Sequence, residues 1–318
     1  MRSIDPSTIP AAESHRYLLA GVAPRPIAFV GSNDRDGRVN LSPFSFFNAF
    51  GANPPVIAFS PAFRGTDGTP KHTFLNIKET GEFTVSVVSY SMIEQMNLAS
   101  AEWPAGVDEF EKAGFSHLSS RKIKPPGVAE SPMVMECVLL DHIDLGGKPA
   151  SGNLMIGEVV MFHIKESAFE GHYPQYERLD LVARMGGNYY CRASGDAVFS
   201  LPKPDGLGVG MEAVPAALRT SPLLSGNHLG KLAGYAALPT NEELKAFWKG
   251  IDDVDGAPMP DDFGMELRGD DPIRLLRAYR AQKLHDPDSP ATSYLHHATI
   301  AYLLDHGDTL SAWCCAMG

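Results

Sequence analysis

The chain has 318 residues, 44% apolar and 20% charged, enough to bury one large core or two smaller ones. Its formal net charge of −11 argues against non-specific binding to nucleic acid or to an anionic membrane, and the densest basic run, Arg121-Lys122-Ile123-Lys124, is too short to offset it. Four cysteines without metal-like spacing, no basic-then-apolar leader and no apolar run near the ~18 residues of a membrane helix favour a reducing cytoplasm, with neither secretion nor a membrane span expected.

Strand character comes first along the chain. Residues 26–32, 39–48, 55–60, 82–88, 132–144 and 153–164 carry β-branched, aromatic or alternating residues between turn formers. Asp34-Arg35-Asp36-Gly37 marks a hairpin, because Asp and Gly tolerate the positive φ of tight turns. Helices are expected at 71–80 and 91–101, where Phe74 and Ile77, then Ile93 and Met96, recur at helical spacing. Many strands with few inserted helices favour a closed antiparallel barrel over a βαβ sheet, so the class expected is mainly β, α+β overall.

Between about 195 and 215 the texture changes to Pro and Gly, as in Leu201-Pro202-Lys203-Pro204-Asp205-Gly206. A boundary is expected there, dividing the chain into 1–204 and a helical extension at 205–318. Thr240-Asn241-Glu242-Glu243 has the form of a capping box, and Asp271-Pro272 that of a cap followed by a first-turn proline. Residues 291–306 continue the helical texture with Tyr294, Leu295, Ala298, Ile300 and Leu304.

Several motifs fail on chemistry. In Gly65-Thr66-Asp67-Gly68-Thr69-Pro70-Lys71 the lysine does not directly follow the second glycine, and Pro70 lacks an N–H, which excludes a nucleotide P-loop. Gly206-Leu207-Gly208-Val209-Gly210 follows a Pro-rich linker rather than a strand, so it is not a dinucleotide fingerprint. No Gly-x-Ser-x-Gly elbow occurs. His296 and His297 face different sides of a helix and gain no nearby carboxylate, so no metal is expected.

The strongest local signals are Pro24-Arg25-Pro26-Ile27-Ala28, Asn40-Leu41-Ser42-Pro43-Phe44-Ser45-Phe46-Phe47-Asn48, Pro54-Pro55 before Ile57-Ala58-Phe59-Ser60, Lys71-His72-Thr73 with Asn76-Ile77, Gly157-Glu158-Val159, and Arg184-Met185-Gly186-Gly187-Asn188-Tyr189-Tyr190. Through them the stretch from about 15 to 195 resembles the flavin reductase-like family, whose members have an FMN-binding split β-barrel. The resemblance implies a homodimer holding FMN, or FAD in some members, near the subunit interface, with NADH or NADPH as co-substrate.

A flavin site must satisfy an anionic phosphate, a polar ribityl chain and a flat ring with hydrogen-bonding edges. Lys71, His72 and Thr73, with Asn76 on the same helix, suit the phosphate, because a cation, a hydroxyl and free N–H groups converge at a helix N-terminus. On propensity alone Lys71 reads equally as a solvated lysine and Thr73 as a cap. Ser42, Phe44, Ser45, Phe46, Phe47 and Asn48 would line the flavin from one strand, with alternate side chains on opposite faces and therefore some in the core. The main chain around Ser60 and Pro61 would meet the ring edge. His163, Arg184 and Tyr189 are candidates for the nicotinamide or substrate side, each with a structural alternative: a surface histidine, a salt-bridged arginine, a packed tyrosine. No catalytic side chain is assigned, since hydride chemistry belongs to the cofactor.

The leading expectation is an NAD(P)H-dependent flavin reductase, possible partner of a two-component monooxygenase. The alternatives are a flavoprotein electron carrier with tightly bound FMN, a flavoenzyme acting on an organic substrate under the C-terminal extension, and a split-barrel binding protein without turnover. The extension is expected to modify access to the flavin rather than to bind it.

Overall fold

Burial of all six residues of strand β1 (Ala28–Asn33) means that both of its faces are covered. Its alternation feeds two cores. Phe29 packs with Leu41, Met92, Met96 and Phe110, whereas Ala28 and Val30 join Phe59, Ile77, Phe83 and Met155. The computed structural model describes residues 1–204, 206–252 and 272–318, and the chain divides into two compact units, Met1–Ser200 and Leu201–Gly318.

In the first unit β1 is joined by β2 (Val39–Phe44), β3 (Phe47–Ala52), β4 (Pro55–Phe59) and β5 (Glu82–Ser86). Two short strands, β6 (His117–Leu118) and β7 (Gly127–Val128), precede the long β8 (Met133–Asp144) and β9 (Asn153–Ile164). One antiparallel seven-stranded sheet runs in the order β2-β1-β5-β8-β9-β4-β3. Its two edge strands, β2 and β3, are separated in the chain by Ser45 and Phe46 alone. A flat sheet of this width would hold its edges about 29 Å apart. The chain from Phe44 to Phe47 reaches about 11 Å at most. The sheet must therefore curl until its edges approach, which is the geometry of a split barrel.

This corrects the single strand expected over 39–48. Pro43, which lacks an N–H, is tolerated because β2 is an edge strand paired only with β1. Past Ser45-Phe46 the chain changes partner to β4. Residue alternation is alike on both sides of the step, so periodicity alone does not reveal it. The hairpin at Asp34 agrees with expectation: Asp34 Oδ1 accepts from the Asp36 and Arg38 N–H groups at 3.0 and 2.9 Å, and Gly37 takes φ +83°.

Helix α1 (Ala11–Gly21) precedes the sheet, α2 (His72–Thr80) packs Phe74 and Ile77 inward, and α3 (Ile93–Ala99) follows a 3-10 turn at Tyr90–Met92. Helix α4 (Glu109–Ala113) supplies a buried carboxylate, Glu109, whose Oε2 accepts from Leu41 N at 3.0 Å and so pins β2. The hairpin β10 (Phe169–Glu170) and β11 (Tyr173–Pro174), the single turn α5 (Tyr176–Leu179) and the hairpin β12 (Val182–Arg184) and β13 (Tyr190–Arg192) complete the unit. A bridge between Arg25 and Arg184 ties that last hairpin to the residues before β1.

The second unit is helical: α6 (Ala216–Arg219), α7 (Gly226–Ala233), α8 (Asn241–Asp252), α9 (Pro272–His285), α10 (Pro290–Asp305) and α11 (Thr309–Met317). Its core gathers Leu218, Leu232, Tyr279, Leu295, Leu304 and Trp313. The Trp313 indole N–H donates to Leu232 O at 3.0 Å. The expected capping box forms, with Thr240 N donating to Glu243 Oε2 at 2.7 Å and Glu243 N to Thr240 Oγ1 at 3.2 Å. Asp271, the other expected cap, lies outside the described residues. His296 stacks on Tyr279 at 4.6 Å and bonds Cys315 O at 2.9 Å. Among the described residues no His, Cys, Asp or Glu group is arranged to hold a metal, and no helix is long and apolar enough to cross a membrane.

Candidate functional site

Strand β2 connects two clusters of polar chemistry, one beside Asn40 and one beyond Phe44. At the first, Asn40 Nδ2 donates to Thr73 Oγ1 at 2.9 Å and fixes the buried first turn of α2 against the strand. Lys71 is the extended residue before that turn, and no side chain caps the helix. The first-turn N–H groups and the positive end of the helix thus lie next in the chain to a cationic side chain, Lys71. Arg64 reinforces it. Lys71 Nζ and Arg64 Nε lie 3.4 and 3.7 Å from Glu102 Oε1, the carboxylate paired with both cations, on a largely exposed side chain. Burial, with Arg64 and Lys71 nearby, holds the His72 imidazole below its ordinary pKa. Asn76 Nδ2 reaches Ser32 Oγ at 3.2 Å and secures the helix to β1.

Beyond Phe44 lies a cavity of about 310 Å³, lined by Phe44, Ser45 and Phe46 from the edge-to-edge link and by Arg25, Arg184 and Tyr190. His15 and Leu19 of α1 and Met96 of α3 add walls, with the His15 ring edge-on to Phe46 at 6.0 Å. Arg25 is 4% exposed. Its guanidinium donates to the carbonyls of Leu19 (3.0 Å), Val22 and Met185, reaches Ser45 Oγ at 3.4 Å, and lies 5.8 Å from the Phe46 ring. Burial and the neighbouring Arg184 lower its pKa. Arg184 donates to Tyr190 Oη and to Gly187 O at 2.6 Å, with its guanidinium 4.5 Å from the Tyr190 ring. The cavity is therefore aromatic and electropositive. From Asn40 in β2 to Ser45, the first residue past its end, the chain advances five residues, about 16 Å at strand rise.

The remaining expected residues scatter around these clusters. Ser42 is half-buried in β2 opposite Val30, Phe47 packs against the Phe59 and Phe83 core, and Asn48 is exposed with its Oδ1 on Ala49 N at 2.8 Å. Ser60 N donates to Phe46 O at 2.9 Å, which places the start of the Ser60-Pro61 segment against the link. Ser60 Oγ accepts from Asn153 N at 3.1 Å and Pro61 O from Asn153 Nδ2 at 3.0 Å, while Asn153 Oδ1 is buried without a partner among the described residues.

His163 does not line the cavity. Its Nε2 sits 2.6 Å from Oε1 of Glu136, whose fully buried carboxylate also accepts from the N–H groups of Arg121, Lys122 and Ile123. Tyr189 is 76% exposed at the β12–β13 turn, and the adjacent Tyr190 lines the cavity. Arg25, His15 and Tyr190 are among the lining residues that the sequence reading does not assign to the site. An arginine inside an apolar strand start was the available signal for Arg25, because arginine is rarely fully buried without partners.

A family model described as the flavin reductase like domain matches residues 20–179, which include β2, the link and α2. Arg184 and Tyr190 lie just past the matched span. Nitrilotriacetate monooxygenase component B from Bacillus cereus is 35% identical, with a TM-score of 0.60 over 63% of this chain and 98% of that one. The Pseudomonas fluorescens 2-nitrobenzoate 2-nitroreductase is 27% identical, with a TM-score of 0.55 over 63% and 96% of the two chains. A Shewanella frigidimarina protein with a split barrel domain is 26% identical, with a TM-score of 0.54 over 64% and 100%.

Proposed function

The chain belongs to the flavin reductase-like family, and we propose that it is an NAD(P)H-dependent flavin reductase that uses FMN. The observation carrying this reading is β2, with an uncapped cationic helix start at one end and an aromatic, hydroxyl-bearing cavity at the other, about 16 Å away. That spacing suits an anionic tail joined by a polyol to a flat ring.

Bound flavin would supply hydride acceptance from a reduced nicotinamide and delivery of the electrons onward. Lys71, Arg64 and the first-turn N–H groups of α2, around Thr73, would hold the phosphate, in place of the Glu102 carboxylate that now pairs with the two cations. Ser42, on the Asn40 face of β2, and Ser45, which lines the cavity, would offer hydroxyls to the polyol. Phe44 and Phe46, which line the cavity, would bound the ring. Arg25 fixes the wall by binding three carbonyls, and Arg184 with Tyr190 orients the anionic nicotinamide co-substrate.

The Bacillus cereus neighbour, named as a monooxygenase component, supports an oxygenase as the consumer of reduced flavin. The Pseudomonas fluorescens neighbour, named as a nitroreductase, supports a second reading in which an organic compound is reduced in the same cavity. Exposed Val138, Leu140 and Phe162 on β8 and β9 support a homodimer, whose interface should bury more than about 1,000 Å². The expected setting is the cytoplasm.

The test is anaerobic mixing of purified protein with NADH or NADPH and excess FMN. A reductase bleaches the excess flavin; an electron carrier bleaches only the stoichiometric bound fraction. Lys71→Ala should weaken FMN binding by about 1.5–3 kcal/mol, roughly ten- to more than a hundredfold. An unchanged FMN titration in folded Lys71→Ala protein would remove the phosphate assignment.

A further inference from the structure

The second unit holds a cavity of its own, about 700 Å³ in volume, between α8 and α9 with Gly318 against it. Small-molecule sites fall at about 300–1,000 Å³. Trp248 and Tyr279 supply its aromatic surface, with ring centroids 6.4 Å apart and planes at 47°, and Leu244, Leu284 and Pro287 extend the apolar wall. Four cations line the same space, Lys245 and Lys249 from α8 and Arg280 and Lys283 from α9, and among the described residues no acidic side chain lines it. In a chain of net charge −11 this is a local inversion of sign.

Two of the four are engaged within the unit. Arg280 Nη1 donates to Trp248 O at 3.1 Å and its guanidinium lies 5.2 Å from the indole. Lys283 Nζ lies 5.6 Å from the Tyr279 ring and donates to Gly318 O. Lys245 and Lys249 have no hydrogen-bond or ion-pair partner among the described residues. Four residues apart on one helix, they repel each other. An anion between them would relieve that repulsion.

The geometry points to a binding site for a small aromatic carboxylate, its ring against the half-buried Trp248, which Tyr279 backs from the core, and its carboxylate on Lys245 and Lys249. Among the described residues the lining contains no Ser, Thr, Asn or Gln. A sugar phosphate or other polyol would therefore lose water from its hydroxyls without recovering side-chain hydrogen bonds. A flat apolar body with one charged end leaves nothing unpaired.

Calorimetric titration of the full chain with benzoate, 2-naphthoate and indole-3-carboxylate tests the site, with the matching neutral amides as controls. At least one carboxylate should bind one to one more tightly than about 1 mM, and its amide at least about tenfold more weakly. Lys245→Gln and Lys249→Gln, both on exposed side chains, should each weaken it by about tenfold. Arg184→Gln, in the other cavity, should leave it unchanged. The assignment is overturned if none of the three carboxylates binds more tightly than about 1 mM. It is equally overturned if amides bind as well as acids, if neither lysine variant alters affinity, or if Arg184→Gln abolishes binding.

Discussion

Arg25 in the first unit and Lys249 in the second both line a cavity, yet their circumstances are opposite. Arg25 is buried and saturated by three carbonyls, whereas Lys249 is exposed and has no partner among the described residues. A saturated cation shapes the wall that it holds. An unpartnered one leaves its charge available to a solute. The two cavities should therefore respond differently when a cation is removed: the first in stability and shape, the second in affinity alone.

The largest expected effect is at Arg25. Arg25→Ala removes the buried donor from the carbonyls of Leu19 and Met185, which are half-buried, and of Val22, which is exposed. Water can replace the donor in part, so the expected loss by chemical denaturation is that of charge-assisted hydrogen bonds, about 1.5–3 kcal/mol, together with weaker FMN binding as the cavity wall loosens. Arg25→Lys should recover only part, because one ammonium cannot span acceptors arranged for a planar fork. Unchanged stability in Arg25→Ala would break the comparison, since Arg25 would then resemble Lys249.

Glu136 is the anionic counterpart of Arg25. Burial opposes its ionisation, but the N–H groups of Arg121 and Lys122 and the contact with His163 outweigh that and hold the carboxyl below its ordinary pKa. A depressed pKa gives stability that is present above the unfolded value, near 4.3, and is lost as pH falls through the lower folded value. Glu136→Gln should cost about 2 kcal/mol at neutral pH, because it weakens hydrogen bonds to a charged acceptor. The gap from the parent protein should close as pH falls below about 4. A gap that is constant from pH 3 to pH 7 would mean that the carboxylate charge contributes nothing here.

Local devices were legible in the sequence and long-range ones were not. The Asp34 hairpin, strands β8 and β9, helix α2 and the Thr240–Glu243 box each rest on residues within a few positions of one another. The step at Ser45-Phe46, which closes the sheet and forms one wall of the cavity, leaves no break in alternation. Helix α1 escaped notice because none of its residues is buried, so no apolar stripe marks it, and His15 and Leu19 had no element to sit on. In Tyr189-Tyr190 the two tyrosines are indistinguishable by type, and only the β13 register tells which one lines the cavity. Lys245 and Lys249 carry no signal in the sequence reading, because only the placement of α9 beside α8 gathers them with Arg280 and Lys283 around one cavity.

The smallest expected effect sharpens the comparison from within the first unit. Lys71 and Arg64 stand between the two extremes, as cations engaged by a carboxylate that is itself 64% exposed. An exposed ion pair is worth about 0.2–1 kcal/mol. Glu102 is thus a weak internal competitor for any anion at the start of α2. Glu102→Gln should tighten FMN binding by about two- to fivefold, the part of that range large enough to measure. The gain should shrink as salt rises, because screening already weakens the pair in the parent protein. Titration of both proteins with FMN at low and high ionic strength reads both effects. Weaker binding in Glu102→Gln would instead make Glu102 a residue that orders Lys71 and Arg64 for the phosphate, and would move those cations toward the saturated, wall-holding behaviour of Arg25.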